Sequence, residues 1–229
     1  RVRKAVEPVG DARPDWQIIA DLSTRFGLPM SYASPSEIFD EIAKVAPSYG
    51  GLSYDRLEAG GIPWPCPTAD HPGTPILHKD RFSRGKGLFH ALEYRPPAEL
   101  IDDEFPVQLT TGRYFPHYHT GTMTRNSPSL HAEMPEGHVE VNPEDAAKLG
   151  LRNHEMVRLV SRRGEVETKA FITDAVEPGT VFMSFHFMEA NANVLTNPAL
   201  DPICKIPEYK VCAVRLEKVE VPLATAVGE

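Results

Sequence analysis

The chain has 229 residues, 41% of them hydrophobic and 24% charged, enough to bury a core in one domain or two. A formal net charge of −8 excludes the broad basic face of a nucleic-acid binder, although a local basic pocket stays compatible with it. No run is long and apolar enough for a membrane helix, and the opening RVRKAVEPVG has basic residues without the apolar stretch of a signal peptide. Position 1 is Arg, so the chain is read as beginning inside a longer polypeptide, as a processed product or an excised segment.

In chain order, ARPDWQIIADLSTRFG predicts a helix: Trp16, Ile19, Leu22 and Phe26 recur at three- and four-residue steps, and Gly27 stands where a left-handed cap is needed. A second helix is predicted in SPSEIFDEIAKV, with Ser34 as N-cap, Pro35 at the first helical position, Glu37 completing a capping box, and Ile38, Ile42 and Val45 on one face. From Gly60 to about Pro97 paired glycines and many prolines predict an extended, irregular segment that serves a site or wraps another domain, with Trp64 and Phe82 as docking residues. The acidic AELIDDEF marks a boundary near residue 100.

The remainder reads as β-rich. FPVQLTTG is a strand ending in a turn, HVEVN alternates, and Asn142 caps a short helix that Gly150 stops. EMVRLVSRRGEVETKAFIT is a hairpin around Arg163-Gly164, Pro178-Gly179 turns the chain into TVFMSFHF, and KVCAVRLEKV is the last strand. About six strands over some 125 residues fit a small closed barrel better than an open sheet. Cys66, Cys204 and Cys212 are far apart and never form a C-x-x-C pair, which argues against an iron–sulfur cluster or structural zinc held within this chain. The odd, unpaired count fits a reducing compartment, so the cytoplasm is expected, with the periplasm as the alternative. Cys66 reads as a small packed residue.

TTGRYFPHYHTGTMT, residues 110–124, gathers more hydrogen-bonding groups than strand and turn chemistry requires. Taken singly, its residues have plainer readings: an i,i+2 histidine pair on a strand, an arginine in an ion pair, and, further on, an Asx turn at Asn193 and a strand edge covered by Lys210. The H-Y-H spacing also resembles the metal-binding H-x-H of cupin barrels, but no carboxylate follows until Glu133.

The ordered set LTTGR…HYHTGTMTRNSP, VEVNPEDAAKLGL, VRLVSRRGEVETKA, PGTVFMSFHFMEANANVLTNPALDP and KIPEYKVCAVRLE closely resembles the C-terminal part of molybdenum- or tungsten-containing formate dehydrogenase catalytic (alpha) subunits, in the dimethyl sulfoxide reductase family of molybdopterin oxidoreductases. The likeness extends upstream through PSYGGLSYDRLEAGGIPWPCPTADHPGTPILHKDRFSRGKG, and that block is expected to separate formate dehydrogenases from nitrate reductases, which share mainly the terminal barrel. The resemblance implies an α+β, mainly β chain. Residues 1–100 would be the tail of the preceding α/β domain plus the Pro-rich segment, and 101–229 a double-psi β-barrel binding molybdopterin guanine dinucleotide. Other molybdopterin oxidoreductases, and double-psi barrels that act as non-catalytic binding modules, are the alternatives.

A pyranopterin dinucleotide needs donors for its pyrophosphate and complementary edges for its heterocycles. A glycine turn followed by Arg113 frees backbone N–H groups and supplies a guanidinium, while His117, His119, Thr120, Thr122 and Thr124 form one polar wall if that stretch is extended. On the resemblance, Gly112, Arg113, His117, His119, Thr120 and Met123 are cofactor contacts, and SFHFMEANAN and PEYK add His186, Asn193, Tyr209 and Lys210. Residues 112–124 and 186–197 are expected to be polar segments that few apolar contacts hold. The family's active-site cysteine or selenocysteine, which ligates the metal, lies upstream of the matched region, as do its iron–sulfur cysteines. The chain alone is therefore expected to have no catalytic or metal-ligating residue and no activity. The implied partners are the upstream iron–sulfur and molybdopterin domains of the same subunit and electron-transfer subunits, with no nucleic acid and no membrane segment.

Overall fold

A computed structural model describes residues 1–219; the last ten residues of the expected barrel domain, 220–229, lie outside the described residues. The chain forms two compact units, one from Arg1 to Ala91 and one from Leu92 onward. No helix among the described residues is long and apolar enough to cross a membrane.

In the first unit, α1 (Asp15–Arg25) ends as its sequence predicts, with Gly27 at φ +85° beyond the C-cap. Its apolar face is not covered: Ala20 is buried, whereas Ile19, Leu22 and Phe26 are exposed. α2 (Pro35–Val45) has Pro35 at its first position, but the capping box does not form. Ser34 makes no side-chain cap bond, and Glu37 reaches one residue further back to accept the N–H of Ala33 at 2.8 Å. A third helix, α3 (Tyr54–Glu58), starts at Ser53, whose hydroxyl accepts the N–H of Arg56 at 3.2 Å.

Cys66 is the packed residue expected, fully buried, with its N–H donated to Ser48 and its carbonyl accepting from Gly51, both at 2.8 Å. Gly51 is obligatory there, because a Cβ would lie 2.0 Å from the carbonyl oxygen of Thr68. Beyond α3 the chain runs to residue 106 without helix or strand, and Phe82 and Gly85 form an isolated bridge. Every residue from 75 to 96 is exposed. Phe89, at 99% exposure, is the extreme case.

The second unit is the closed mixed barrel that the sequence predicts. Its strands are β1 (Val107–Gly112), β2 (His138–Val141), β3 (Met156–Val160), β4 (Glu165–Ile172), β5 (Thr180–Ser184) and β6 (Cys212–Lys218), in the spatial order β1-β5-β2-β4-β3-β6. β1 pairs with β5 and β2 with β4 in parallel; the remaining neighbours are antiparallel, and β6 against β1 closes the ring. Alternate residues point inward, so Leu109, Val139, Leu159, Val181 and Val214 are all buried in one core. A short helix not foreseen in the sequence, α4 (Pro128–Glu133), precedes β2.

The helix after β2, α5 (Pro143–Leu149), is built as expected. Asn142 accepts the N–H of Glu144 at 2.9 Å and donates to the Val176 carbonyl at 2.8 Å, and Gly150 closes the helix at φ +61°. Its Ala146 and the following Leu151 pack on the core.

Leu159→Ala, which leaves a cavity in the barrel centre, is expected to lower the unfolding free energy by about 2–5 kcal/mol, whereas Phe89→Ala changes it by less than about 0.5 kcal/mol. Equilibrium denaturation of the 229-residue chain checks both, and equal losses would contradict this division between core and uncovered segment.

Candidate functional site

β1 ends at Gly112 directly beside Ser184, the last residue of β5, so the two following segments leave the barrel at one end. Gly112 is needed where it sits: a Cβ would approach Phe182 Cε2 to 2.6 Å. The segment after it does not extend. His119 takes φ +48° and Gly121 φ +74°, Gly121 N–H bonds the Tyr118 carbonyl at 3.0 Å, and a 3₁₀ turn follows at Thr124–Asn126. The expected flat wall of histidines and threonines is therefore absent. His117 turns inward and is buried, while His119 and Thr120 remain exposed.

The two buried histidines brace this loop. His117 donates from Nε2 to the Met134 carbonyl at 2.7 Å and sets Nδ1 3.0 Å from the Thr124 hydroxyl. His186 accepts the Tyr114 N–H at Nε2 (2.8 Å), which leaves the proton on Nδ1 for the carbonyl of His119. Burial holds the pKa of His186 below its ordinary value. Both rings thus spend their nitrogens inside the protein.

Around His186 lies a cavity of about 670 Å³, lined among others by Thr120, Thr122, His131, Phe185, Met188 and Asn193. Arg125 enters it with a bidentate pair to Glu189 at 2.8 and 3.0 Å and its guanidinium 5.2 Å from the Phe187 ring. Two buried side-chain polar atoms have no partner among the described residues, Nδ1 of His131, a residue of the cavity wall, and Oγ of Ser184 at the end of β5. Asn193 is exposed on the rim, and the Asx turn of this segment belongs to Asn191, whose side chain accepts the Asn193 N–H at 3.1 Å. Met123 is exposed as well.

A cationic pair also meets Phe185, which lines the cavity. The Arg113 guanidinium lies 5.9 Å from its ring centroid, Lys210 Nζ also 5.9 Å, and Tyr209 packs edge-on at 6.4 Å. Lys210 donates to the Thr111 carbonyl at 2.9 Å and the Thr111 hydroxyl to the Tyr209 carbonyl at 2.6 Å, which ties this segment to β1. No carboxylate among the described residues lies within ion-pair distance of Arg113, whereas Arg125, Arg152, Arg158, Arg162, Arg163 and Arg215 each have one. A guanidinium free of carboxylates, a second cation and an aromatic platform fit an anionic ligand that carries a ring.

The expected site residues therefore separate. Gly112, Arg113, Tyr209 and Lys210 gather near Phe185, and Thr120, His186 and Asn193 around the cavity; His117 is buried, and His119 and Met123 are exposed. Phe185, Arg125, His131 and Ser184 escaped the sequence reading. The Ser-Phe-His-Phe alternation carried a signal for Phe185, but it was absorbed into a strand that ends at Ser184. Residues 186–197 also differ from the polar segment expected, since Phe187, Ala190, Ala192 and Leu195 join the core.

Residues 107–213, the barrel with this site, match the family described as "Molydopterin dinucleotide binding domain". Across 95% of its length the chain is 51% identical to the F420-dependent formate dehydrogenase subunit alpha of Methanocaldococcus jannaschii, and it spans about a third (33%) of that relative. It is 39% identical to the assimilatory nitrate reductase catalytic subunit of Bacillus subtilis, covering 94% of this chain and 32% of that one. The upstream block therefore does not separate formate dehydrogenases from nitrate reductases, as the sequence suggested, because the reductase aligns through it too. Acetylene hydratase from Pelobacter acetylenicus shares the fold, with a TM-score of 0.64 at 16% identity over 93% of this chain and 34% of that chain.

Since burial disfavours the His186 imidazolium, its share of stability is complete above the ordinary value of about 6.5 and is lost as pH falls through it toward the lower folded value. Unfolding free energy is thus expected to drop between about pH 7 and 5, and His186→Asn should flatten that slope by the part due to one proton. Chemical denaturation across this range checks it; an unchanged slope would mean that His186 is not held neutral.

Proposed function

We propose that this chain is the C-terminal portion of a formate dehydrogenase catalytic subunit, whose barrel binds and orients molybdopterin guanine dinucleotide for oxidation of formate to carbon dioxide. The observation that carries this reading is Arg113, free of any carboxylate among the described residues and set beside Lys210 over Phe185, at the mouth of a molydopterin dinucleotide-binding domain. When bound, the cofactor supplies a molybdenum or tungsten centre ligated by residues outside this chain. Arg113 and Lys210 face its anionic part, and Phe185 offers a surface for a ring. Thr120, Asn193, Tyr209, His119 and Met123 border it; Gly112 gives the close approach, and His117 and His186 hold the loop in shape.

Residues 1–100 are assigned to the end of a preceding α/β domain with its Pro-rich extension, and 101–229 to the barrel. The exposed faces of Ile19, Leu22 and Phe26, and the uncovered run through Ile76, Phe89 and Tyr94, support burial against the iron–sulfur and molybdopterin domains of the same subunit. The F420-dependent relative supports electron-transfer subunits as further partners. Three free cysteines support the cytoplasm.

The nitrate reductase relative favours a second reading, the same portion of a nitrate reductase. Dye-linked assays on the anaerobically purified full-length polypeptide separate the two: formate-driven dye reduction is expected, and nitrate-dependent dye oxidation without formate activity would support the second. The 229-residue chain alone is expected to do neither. In the full-length polypeptide, Arg113→Ala loses charge-assisted hydrogen bonds of about 1.5–3 kcal/mol each, so dinucleotide content should fall about tenfold or more with the fold intact. Unaltered content, measured as GMP released by acid hydrolysis, would remove Arg113 from the site.

A further inference from the structure

Tyr114 takes no part in the cavity, yet both of its ends are anchored. Its main-chain N–H is the donor to His186 Nε2. Its phenol points the other way, to the outer face of β2, where Oη donates to Glu140 Oε1 at 2.9 Å and lies 2.8 Å from His138 Nε2. A phenol has one proton, so with Glu140 as acceptor His138 is the donor to Oη, and the three groups form a directional chain. The ring packs edge-on against Phe182 at 5.4 Å, and Phe182 in turn lies against Gly112. Burial, then the charge of Glu140, push the Tyr114 pKa well above its ordinary value, so the phenol stays a donor.

Arg113 sits between these two fixed neighbours. Gly112 is locked in parallel register with Ser184, and Tyr114 is held at backbone and side chain, so the direction in which residue 113 leaves the backbone is set from both sides. A planar guanidinium binds an anion strongly only when its fork is aimed correctly, and a side chain on a turn keeps its aim only if its neighbours are held. We propose that Tyr114, through Glu140 and His138, is a positioning residue that aims Arg113 at the site and so sets affinity for the anionic part of the dinucleotide. This rests on the role given to Arg113 above.

A double-mutant cycle on the full-length holoenzyme tests it, with the rate of dinucleotide loss read from GMP and pterin remaining after dilution. Tyr114→Phe is expected to speed loss about fivefold when Arg113 is present and less than about 1.5-fold in the Arg113→Ala background. Glu140→Gln keeps an acceptor for the phenol and should stay within about twofold of wild type, whereas Glu140→Leu should match Tyr114→Phe. Equal acceleration by Tyr114→Phe in both backgrounds would show that the ring serves packing alone and would overturn the proposal. Wild-type polypeptide purified without GMP would overturn both this proposal and the cofactor reading beneath it.

Discussion

Five consecutive pairs hold β1 parallel to β5, from Gln108 beside Thr180 to Gly112 beside Ser184, and both strands stop at the last of them. Parallel strands end on the same side, so this pairing makes the loop from Arg113 and the loop from Phe185 neighbours, although they lie far apart in sequence. A slip of one residue would turn Leu109 and Val181 out of the core and swing both loop origins to the other face. The core therefore enforces the register, and the register places the site. β6 completes the arrangement by pairing with β1 on the other side, which delivers Tyr209 and Lys210 to the same end.

Loops that leave a barrel must still satisfy their backbone groups, and here buried histidines do so. His186 receives one N–H and serves one carbonyl of the loop after β1, and His117 bonds the carbonyl of Met134 beyond it. Neutral imidazole suits this work because it is donor and acceptor at once, and burial keeps His186 neutral. Each ring that braces the backbone is lost as a direct ligand. On the proposed reading, contact with the ligand would fall to side chains outside these bonds, Arg113, Phe185, Lys210 and Asn193 among them.

The barrel was legible in the sequence because its signals are local. Alternation in EMVRLV and EVETKAFI, the cap at Asn142, and glycines at 150 and 179 each state a conformation through chemistry within a few residues. The loop at 112–124 stood out in the sequence for its density of polar groups but not for its shape. Its conformation depends on His186, more than sixty residues away, and on turns at His119 and Gly121 that the i,i+2 spacing of polar residues disguised as a strand. The orphaned Ser184 hydroxyl and His131 Nδ1 have no sequence signal at all, since being unpartnered is a property of surroundings. The capping box at Ser34 erred in the opposite sense: the right letters were present, and the glutamate found a neighbouring donor instead.

Electrostatics bring these strands of argument together. The chain carries a net charge of −8, and six arginines of the barrel spend their charge on acidic neighbours, as Arg158 does on Glu167 and Arg163 on Glu99. Such pairs near the surface contribute little to stability, but they occupy guanidinium groups of the kind that Arg113 keeps free where β1 ends. The cations at this end of an acidic chain are attractive to an anion only at short range, because salt screens the wider field within roughly 8 Å at physiological ionic strength. On the proposed reading, selectivity for a dinucleotide would depend on how accurately Arg113 is placed, and not on the charge of the protein as a whole. That is why the fixed neighbours of Arg113, Gly112 against Phe182 and Tyr114 against β2, matter as much as the guanidinium itself.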